Sequence, residues 1–421
     1  MTEKRFEKNR QFYKFCAYGF LKNLRFYEPF LFLFFLGQGL SFLQIGILIS
    51  IREMGRNLLE IPAGIIADSL GRKRTLATSF VFYIVAFAIY FFGHSYGVFI
   101  VAMVYYSLGD SFRTGTHKAM IFDYLKINGW KDQKVYYYGH TRSYSQLGSA
   151  VSSLAAAGLV LLSGNYRMIF LYSILPYILD LLLILSYPGE LDGKRSEVSG
   201  KKIFHVFREV IFDFLHTFSR MKTLRAVANL SLHTGYFQAL KDYIQPLIKT
   251  LALSLPVFAG LAGEQRTAVL IGVIYFFIYM LTSFSSRNAG NFAHRFSNLM
   301  WPLNITILAG VLFGFAGGFS YTLELSLLAV MLYVVIFVVE NLRKPVGVSY
   351  VTDVIDKDIL ATVLSAESQA HTLVAALLAP VIGFLADRFG VGYAIMGVSV
   401  LVLAFAPFYW LTKKNQPKLS T

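Results

Sequence analysis

The stretch from Ile51 to Thr75, IREMGRNLLEIPAGIIADSLGRKRT, places charged side chains inside an apolar segment. The surrounding segment, Phe42 to Ala67, is long enough to cross a bilayer, which takes about 20 apolar residues. Ionisable groups at that depth are costly unless they face a partner or a water-filled cavity. The stretch therefore predicts a membrane-spanning helix that lines a polar interior. The charged and amide side chains in the first half of this stretch are Arg52, Glu53, Arg56, Asn57 and Glu60.

Composition assigns the whole chain to the membrane. The 421 residues are 56% hydrophobic and 16% aromatic, and the mean hydropathy is +0.55. An ordinary soluble domain could not hide that much apolar surface. The net charge of +15 could indicate a nucleic-acid partner, but the basic residues lie in short loops between apolar runs, so we expect no nucleic acid. The single cysteine, Cys16, excludes an internal disulfide and a multi-cysteine metal site, and we expect no metal and no cofactor.

Apolar runs of about 20 residues predict an all-α integral membrane protein with twelve spans. Basic residues gather in alternate loops, such as Arg72 to Arg74, and at both ends of the chain, whereas the intervening loops are short and uncharged. The positive-inside rule therefore places both termini in the cytoplasm. The predicted spans are 16–36, 42–67, 75–93, 97–124, 140–163, 167–187, 224–248, 266–288, 298–318, 322–344, 361–385 and 391–412.

The chain divides into two pseudo-symmetric six-helix bundles, residues 1–190 and 223–421. A cytoplasmic linker, residues 191–222, joins them and carries an amphipathic helix predicted from Ile203 to Phe218. The fourth predicted helix has an acid, a base and an acid at Asp110, Arg113 and Asp123. The tenth predicted helix repeats these spacings at Glu340, Arg343 and Asp353. Such a repeat is typical of transporter folds.

The turn Gly64-Ile-Ile-Ala-Asp-Ser-Leu-Gly-Arg-Lys-Arg74 resembles the signature between the second and third helices of the major facilitator superfamily. The resemblance implies the major facilitator fold and a secondary transporter that works by alternating access. It also implies that Asp68, Arg72 and Asp123 hold a cytoplasmic gate shut. The alternative is that these charges only fix topology and cap helix ends. The predicted gating turn comprises Gly64, Asp68, Gly71, Arg72, Lys73 and Asp123.

Two further segments bear on this resemblance. The sequence from Gly383 to Gly390, GFLADRFG, mimics the signature turn but falls on the outer side, and we predict a loop there without the turn's role. The fifth predicted helix has small residues but no Gly-Pro pair, which drug–proton antiporters of the superfamily usually carry. The second observation counts against an exporter of drugs.

The remaining ionisable residues inside the spans define a candidate cavity for substrate and coupling ion. Arg52 and Arg56 form either a clamp for an anion or zwitterion or part of an ion-pair network among helices. Asp110 and Arg113 share a stripe with His117, and they are either a functional pair or a self-satisfied salt bridge. The predicted cavity residues are Lys22, Arg25, Glu28, Arg52, Glu53, Arg56, Glu60, Asp110, Arg113, His117, Lys241, Asp242, Glu340, Arg343 and Glu367.

One of these acids is expected to carry the coupling proton. Glu28 is the first candidate because it lies in the apolar run Phe26-Tyr-Glu-Pro-Phe30, and its rivals are Glu367 and Asp242. The alternative for each acid is a structural partnership with a nearby lysine or arginine.

The sequence favours a proton-coupled secondary transporter of a small polar or charged solute. It shows no phosphate-binding glycine loop, paired-histidine zinc helix or nucleophile elbow, so we predict no enzyme and no catalytic residues. The alternatives are an exporter of multiple drugs or amphipathic compounds, and a non-transporting membrane sensor with the same fold. The expected partners are a small-molecule substrate, a coupling proton and membrane lipid. We expect a monomer with multiple spans in the cytoplasmic membrane.

Overall fold

A computed structural model describes residues 7–130, 133–193, 208, 221–256, 259–355 and 360–412, and within these ranges the regular structure is entirely helical. Two short 3-10 turns, Gly189–Asp192 and Lys241–Tyr243, supplement the α-helices. The α-helices are α1 (Arg10–Leu21), α2 (Leu31–Gly37), α3 (Phe42–Leu70), α4 (Arg72–Phe92), α5 (Tyr96–Arg113), α6 (Thr116–Ile127), α7 (Lys134–Ser163), α8 (Met168–Leu185), α9 (Met221–Leu240), α10 (Ile244–Ser254), α11 (Gly263–Ala293), α12 (Met300–Thr322), α13 (Ser326–Val354), α14 (Leu360–Phe389), α15 (Val391–Ala404) and α16 (Ala406–Tyr409).

The surface of these helices suits a bilayer. Within the described ranges, seven helices are long and apolar enough to cross a membrane. Large apolar side chains point outward along them, including Leu162, which is 86% exposed, and Phe92, which is 73% exposed. Because water would penalise so much exposed apolar surface, lipid is its natural solvent. The chain is therefore an all-α protein of the multi-pass membrane type.

Four predicted spans are wrong as continuous helices. One is the span 391–412, whose long helix ends at Ala404 before the short helix Ala406–Tyr409. The span 16–36 is interrupted at residues 22–30, which form turns, and Pro29 within them has no N–H for a helical bond. The span 97–124 breaks at Thr114 and Gly115, where Gly115 adopts the left-handed region with φ +78°. The span 224–248 tightens into a 3-10 turn at residues 241–243, just before Pro246.

The described residues fall into two compact units. Unit 1 takes in Met1–Phe34, Gly55–Phe207 and Gly260–Phe276, and unit 2 takes in Phe35–Met54, Arg208–Ala259 and Phe277–Thr421. Helices α3 and α11 are therefore each divided between the units. The predicted bundles and linker, divided at residues 190 and 223, stay a prediction, and the predicted amphipathic helix at 203–218 lies outside the described residues except for Arg208.

Aromatic side chains fill the interior of unit 1. There α4 packs on α5 and α8, and α1 packs on α7 and α8. Tyr27, in the interrupted segment, lies 4.8 Å from Phe87 between ring centroids, and its hydroxyl is 2.9 Å from that of Tyr106. Tyr83 and Tyr177 join the same cluster with a centroid distance of 5.2 Å. Rings of this size replace the helical packing that the interruption removes, and the hydroxyls of Tyr27 and Tyr106 satisfy one another.

In unit 2, α9 packs on α14, and α12 packs on α13 and α15. Two buried asparagines fasten the end of the described chain to this unit. The Asn229 amide donates to the carbonyl of Tyr409 at 3.0 Å, and the Asn304 amide donates to the carbonyl of Leu411 at 2.9 Å. The N–H of Leu411 returns a bond to the Asn304 side-chain oxygen at 3.1 Å. Buried amides are thus satisfied by backbone at the end of the last helix and just after it.

The first turns of α3 lie directly against α14 within unit 2. A Cβ added at Gly46 would overlap the carbonyl oxygen of Ala379, and a Cβ at Gly383 would overlap the carbonyl of Phe42. The Asp387 carboxylate accepts from the backbone N–H groups of Phe42 and Leu43, both at 2.8 Å. The loop predicted at residues 383–390 is therefore wrong: residues up to Phe389 are helical. Asp387 caps the N-terminus of α3, where a negative charge is stabilising.

This close approach predicts opposite effects of one substitution at two glycines. Gly46→Ala should lower the apparent melting temperature in detergent, because forcing a methyl group into packed backbone costs about 1–3 kcal/mol. The control is Gly158→Ala in α7, where nothing lies within 4 Å. There the melting temperature should hold or rise, since alanine is favoured over glycine in a helix by about 0.5–1 kcal/mol. Equal shifts for both variants would contradict the close packing of α3 on α14.

Candidate substrate cavity and coupling site

A cavity of about 370 Å³ opens in unit 1 where the interruption after α1 meets the break between α5 and α6. Ligand pockets in proteins start at about this size, roughly 300 Å³. Its wall contains four cationic side chains, and no aspartate or glutamate is among the lining residues. The lining residues are Phe15, Tyr18, Gly19, Lys22, Asn23, Arg113, Gly115, His117, Lys118, Ile121, Tyr138, Thr141, Arg142, Ser145 and Gln146.

Arg113 is held at the cavity wall by its own helix and by α4. Its Nη2 donates to Asp110 Oδ1 at 2.8 Å, and its Nε donates to the Tyr83 hydroxyl at 3.0 Å. Tyr83 in turn donates to Asp110. The three side chains form a closed hydrogen-bonded ring, which orients the guanidinium. In this conformation the pair matches the self-satisfied salt bridge that the sequence left open.

His117 does not continue the stripe of Asp110 and Arg113, and that prediction is wrong because the chain changes direction at Gly115. The imidazole instead stacks on the ring of Tyr18, with centroids 3.5 Å apart, and its Nε2 lies 3.2 Å from the Tyr187 hydroxyl. The break therefore turns His117 and Lys118 into the same cavity wall as Arg113.

The charges of α3 separate into two groups. Arg52 and Glu53 belong to unit 2, where Arg52 Nε lies 3.1 Å from Glu53 Oε1 and Arg52 Nη2 lies 3.9 Å from Asp242 Oδ2. Arg56 belongs to unit 1, and its carbonyl accepts from the Ser111 hydroxyl at 3.4 Å. These contacts favour the ion-pair network over a clamp for Arg52. Glu60 is exposed, and Lys241 lies half-buried in the 3-10 turn beside Asp242.

The first candidate for the coupling acid has a local partner. Glu28 lies 3.5 Å from Arg25, and both side chains are partly exposed. Its rival Glu367 lies 3.6 Å from His371 one turn further along α14. Glu28 thus has the basic partner that the sequence offered as the alternative, whereas the partner of Glu367 is a histidine.

Glu340 is the least exposed of the predicted cavity acids in the described part of the chain. Its Oε2 lies 2.8 Å from His233 Nδ1, and its Oε1 accepts from the Thr234 hydroxyl at 3.0 Å. The side chains of His233 and Glu340 are 0% and 3% exposed. Gly310 makes room for the imidazole, since a Cβ there would overlap His233 Nε2. His233 was not among the predicted site residues, because the spacing of charges along a helix does not show which neighbouring helix packs against Glu340.

Arg343 lies one helical turn after Glu340 but is not paired with it. The guanidinium donates to the Asn229 carbonyl at 2.6 Å and to the Thr306 hydroxyl at 2.9 Å, and it also contacts the Leu303 carbonyl and the Asn229 side-chain oxygen. Neutral oxygens therefore solvate this buried cation. The repeat of acid and base spacing between α5 and α13 is real in sequence, but the two copies use different partners.

The predicted gating turn is anchored by two carboxylates of unit 1. Arg72 Nη1 forms an ion pair with Asp123 Oδ2, as expected from the resemblance. Lys73 donates its N–H to Asp192 Oδ1 at 3.0 Å and its Nζ to the Tyr187 carbonyl at 2.7 Å. Gly71 has φ +100°, and a Cβ there would overlap the Asp192 carboxylate, so the position requires glycine.

Sequence reasoning missed Asp192, which lies outside the signature. Gly64 has open space where a Cβ would point. The side chain of Asp68 lies outside the described part of the structure.

Comparison with known proteins assigns the family. A sequence model of the Major Facilitator Superfamily matches residues 15–369. The uncharacterized MFS-type transporter YxaM of Bacillus subtilis (strain 168) is 33% identical over 105 residues, a match that spans 25% of this chain and 26% of that relative.

Solved structures share the fold across nearly the whole chain. The nucleoside transporter NupG has a TM-score of 0.73 at 16% identity, with 95% of this chain and 97% of that chain covered. A POT family transporter in complex with a thioalcohol-conjugated peptide has a TM-score of 0.71 at 13% identity, with 94% and 96% covered. The family match over most of the chain, together with this fold, shows that the protein belongs to the Major Facilitator Superfamily of membrane transporters.

Proposed function

We propose that this protein is a proton-coupled secondary transporter that moves a small polar or charged solute by alternating access. Its family and its fold support transport, and the cavity at the broken helices of unit 1 supports a small solute. The observation that carries proton coupling is the buried His233–Glu340 pair. We further propose a monomer in the cytoplasmic membrane with both termini in the cytoplasm, and no enzymatic activity.

The environment of the pair explains how protonation and conformation can be linked. Adding or removing a proton changes the net charge of two groups that have almost no contact with solvent. An uncompensated charge in such surroundings costs several kcal/mol. The pair therefore exchanges a proton with water only after a change of conformation that opens it. That requirement is what couples proton movement to the transport cycle.

Nearby cations make the charge of Glu340 matter to its surroundings. Arg343 and Lys344 both interact electrostatically with the carboxylate. Arg343 is held only by neutral oxygens among the described residues, so Glu340 supplies negative charge that those oxygens do not. When Glu340 binds a proton, the buried guanidinium loses that compensation. The cluster is thus less stable in the protonated state, which favours a second conformation.

The ion pair of Arg72 and Asp123 supports a role for the turn as a cytoplasmic gate. Both side chains are partly exposed, so the pair contributes little to the free energy of unfolding. A weak, solvent-accessible pair can break and re-form during each cycle. These properties suit a latch better than a permanent structural bridge.

The proposed function is tested in proteoliposomes that contain the purified protein. Polar metabolites are screened for uptake with an imposed pH gradient and without one. We expect at least one solute to accumulate, and its accumulation to depend on the gradient. The absence of flux for every solute under every gradient would contradict transport and favour a membrane sensor.

Glu340→Gln should separate proton coupling from solute movement. Glutamine keeps an oxygen for Thr234 but cannot release or bind a proton at this position. We expect gradient-driven accumulation to fall to the level of de-energised vesicles, while exchange of solute across the membrane continues. The matched control is Glu190→Gln, in an exposed turn, which should accumulate solute as the unaltered protein does. Full accumulation by Glu340→Gln would remove this residue from the coupling mechanism.

Charge exchange should test the Arg72–Asp123 latch. Arg72→Asp alone and Asp123→Arg alone place like charges together and should each slow uptake several-fold. The double variant restores opposite charges and should recover most of the rate, with little change in melting temperature. If the double variant is as slow as the slower single variant, the two residues act independently.

A further inference from the structure

We propose that the cavity of unit 1 binds the carboxylate or phosphate group of a small organic anion, and that this anion is the transported solute. The inference deepens the proposed transport function and rests on it. It follows from the charge of the cavity wall, from three cations that form no ion pair at contact distance, and from the end of a helix that lies beside them.

Charge of one sign dominates the wall. Lys22, Arg113, Lys118 and Arg142 line the cavity, and the lining includes no carboxylate. Lys22 is close enough to Arg113 for the two cations to repel one another. Like charges gathered in a site with low-dielectric walls raise its potential and attract an anion. A bound anion would therefore reduce the electrostatic repulsion among these cations.

The acids around the wall do not neutralise it. Asp110 interacts with Lys22, but its carboxylate is bound by Arg113 and Tyr83. Asp180 also interacts with Lys22 and Arg113, but it is fully buried and is not part of the lining. Two carboxylates cannot neutralise four cations, so the cavity keeps a net positive charge.

Three of the four cations form no ion pair at contact distance with a described side chain. Lys22 lies over the Tyr18 ring, with Nζ 5.8 Å from the centroid, and Lys118 lies 5.6 Å from the ring centroids of Phe122 and Tyr138. Arg142, on α7, forms no ion pair with any residue in the described ranges. Charges that pack only on aromatic faces or on solvent keep their hydrogen-bond donors available for a ligand.

The helix break supplies a second, independent source of positive potential. The N-terminus of α6 begins at Gly115, which lines the cavity, and no side chain caps it. The first N–H groups of a helix have no partner within it, and the helix dipole adds partial positive charge at that end. His117 and Lys118 occupy this first turn and also line the cavity. Backbone and side-chain donors therefore converge on one volume.

The other lining residues indicate the chemical nature of the part of the ligand that carries no charge. Phe15, Tyr18 and Tyr138 provide aromatic surface, and Asn23, Ser145 and Gln146 provide polar groups. A ring or a short chain with hydroxyl groups would match both kinds of surface. An inorganic ion alone would leave most of the cavity unfilled.

The test measures binding of simple probes to the purified full-length protein at constant ionic strength. The probes are benzoate and phenyl phosphate, with benzamide as the neutral counterpart of the same ring. We expect both anions to bind at least about tenfold more tightly than benzamide, because hydrogen bonds to charged groups are the stronger kind. The difference between benzoate and phenyl phosphate then shows which anionic group fits better.

Variants locate the binding. Lys22→Gln and Arg142→Gln should each weaken anion binding by about tenfold and leave benzamide binding unchanged. Arg142→Lys should retain most of the affinity because it keeps the charge. The matched control is Lys126→Gln, an exposed cation on α6 outside the cavity, which should bind as the unaltered protein does. Melting temperatures without probe establish that each variant is folded.

Equal affinity for benzoate and benzamide, or no loss in Lys22→Gln and Arg142→Gln, would overturn the anion proposal. That outcome would not contradict the proposed transport function, because the flux assay for transport uses a metabolite screen and a pH gradient and does not depend on these probes. Tight anion binding with no flux of any solute would contradict the transport function instead. The two failures are therefore distinguishable.

Discussion

Every ionisable side chain inside a membrane-spanning fold must have a partner or reach water, because hydrocarbon solvates neither its charge nor its hydrogen bonds. This protein meets the constraint in two ways. In unit 2, Glu340 is paired with His233, and Arg343 is surrounded by neutral oxygens. In unit 1, Lys22 and Arg142 form no direct ion pair with a described residue and line a cavity instead. The buried pair in unit 2 is suited to hold a proton, and the cavity cations in unit 1 are suited to bind a ligand.

Broken helices make the second solution possible. In a continuous helix the backbone groups bond to one another, so only side chains are available to line a cavity. The interruption at residues 22–30 and the break at Gly115 also present backbone groups, and they bring charged residues from several helices to one place. Aromatic packing around Tyr27 compensates for the lost helical bonds. The same interruptions thus carry both a cost in helical stability and the geometry of the candidate site.

Much of the fold could be predicted from sequence, because apolar segments of membrane length have few alternatives. The signature turn also predicted the contact of Arg72 with Asp123 correctly. The breaks were missed, although Pro29, Pro246 and Gly115 signalled them, because an apolar run gives no information on whether its helix is continuous.

Partners were harder to predict than the positions of charged residues. Glu340 pairs with His233 and not with Arg343, and Asp387 caps α3. Both outcomes depend on tertiary contacts between residues far apart in sequence. The spacing of acids and bases along a helix does not contain that information. Lys118 and Arg142 were missed for the same reason: the turn at Gly115 directs Lys118 to the cavity, and the packing of α7 brings Arg142 there.

The central claim is that the unpaired cations of unit 1 face water and not lipid. Cysteine accessibility tests it most directly, in a background where Cys16, the single native cysteine, is replaced by serine. Cysteines at Lys22 and Arg142 should react with a charged, membrane-impermeant thiol reagent, whereas a cysteine at Leu175, on the exposed apolar face of α8, should not. Protection at both cavity positions, or equal labelling at Leu175, would contradict the account.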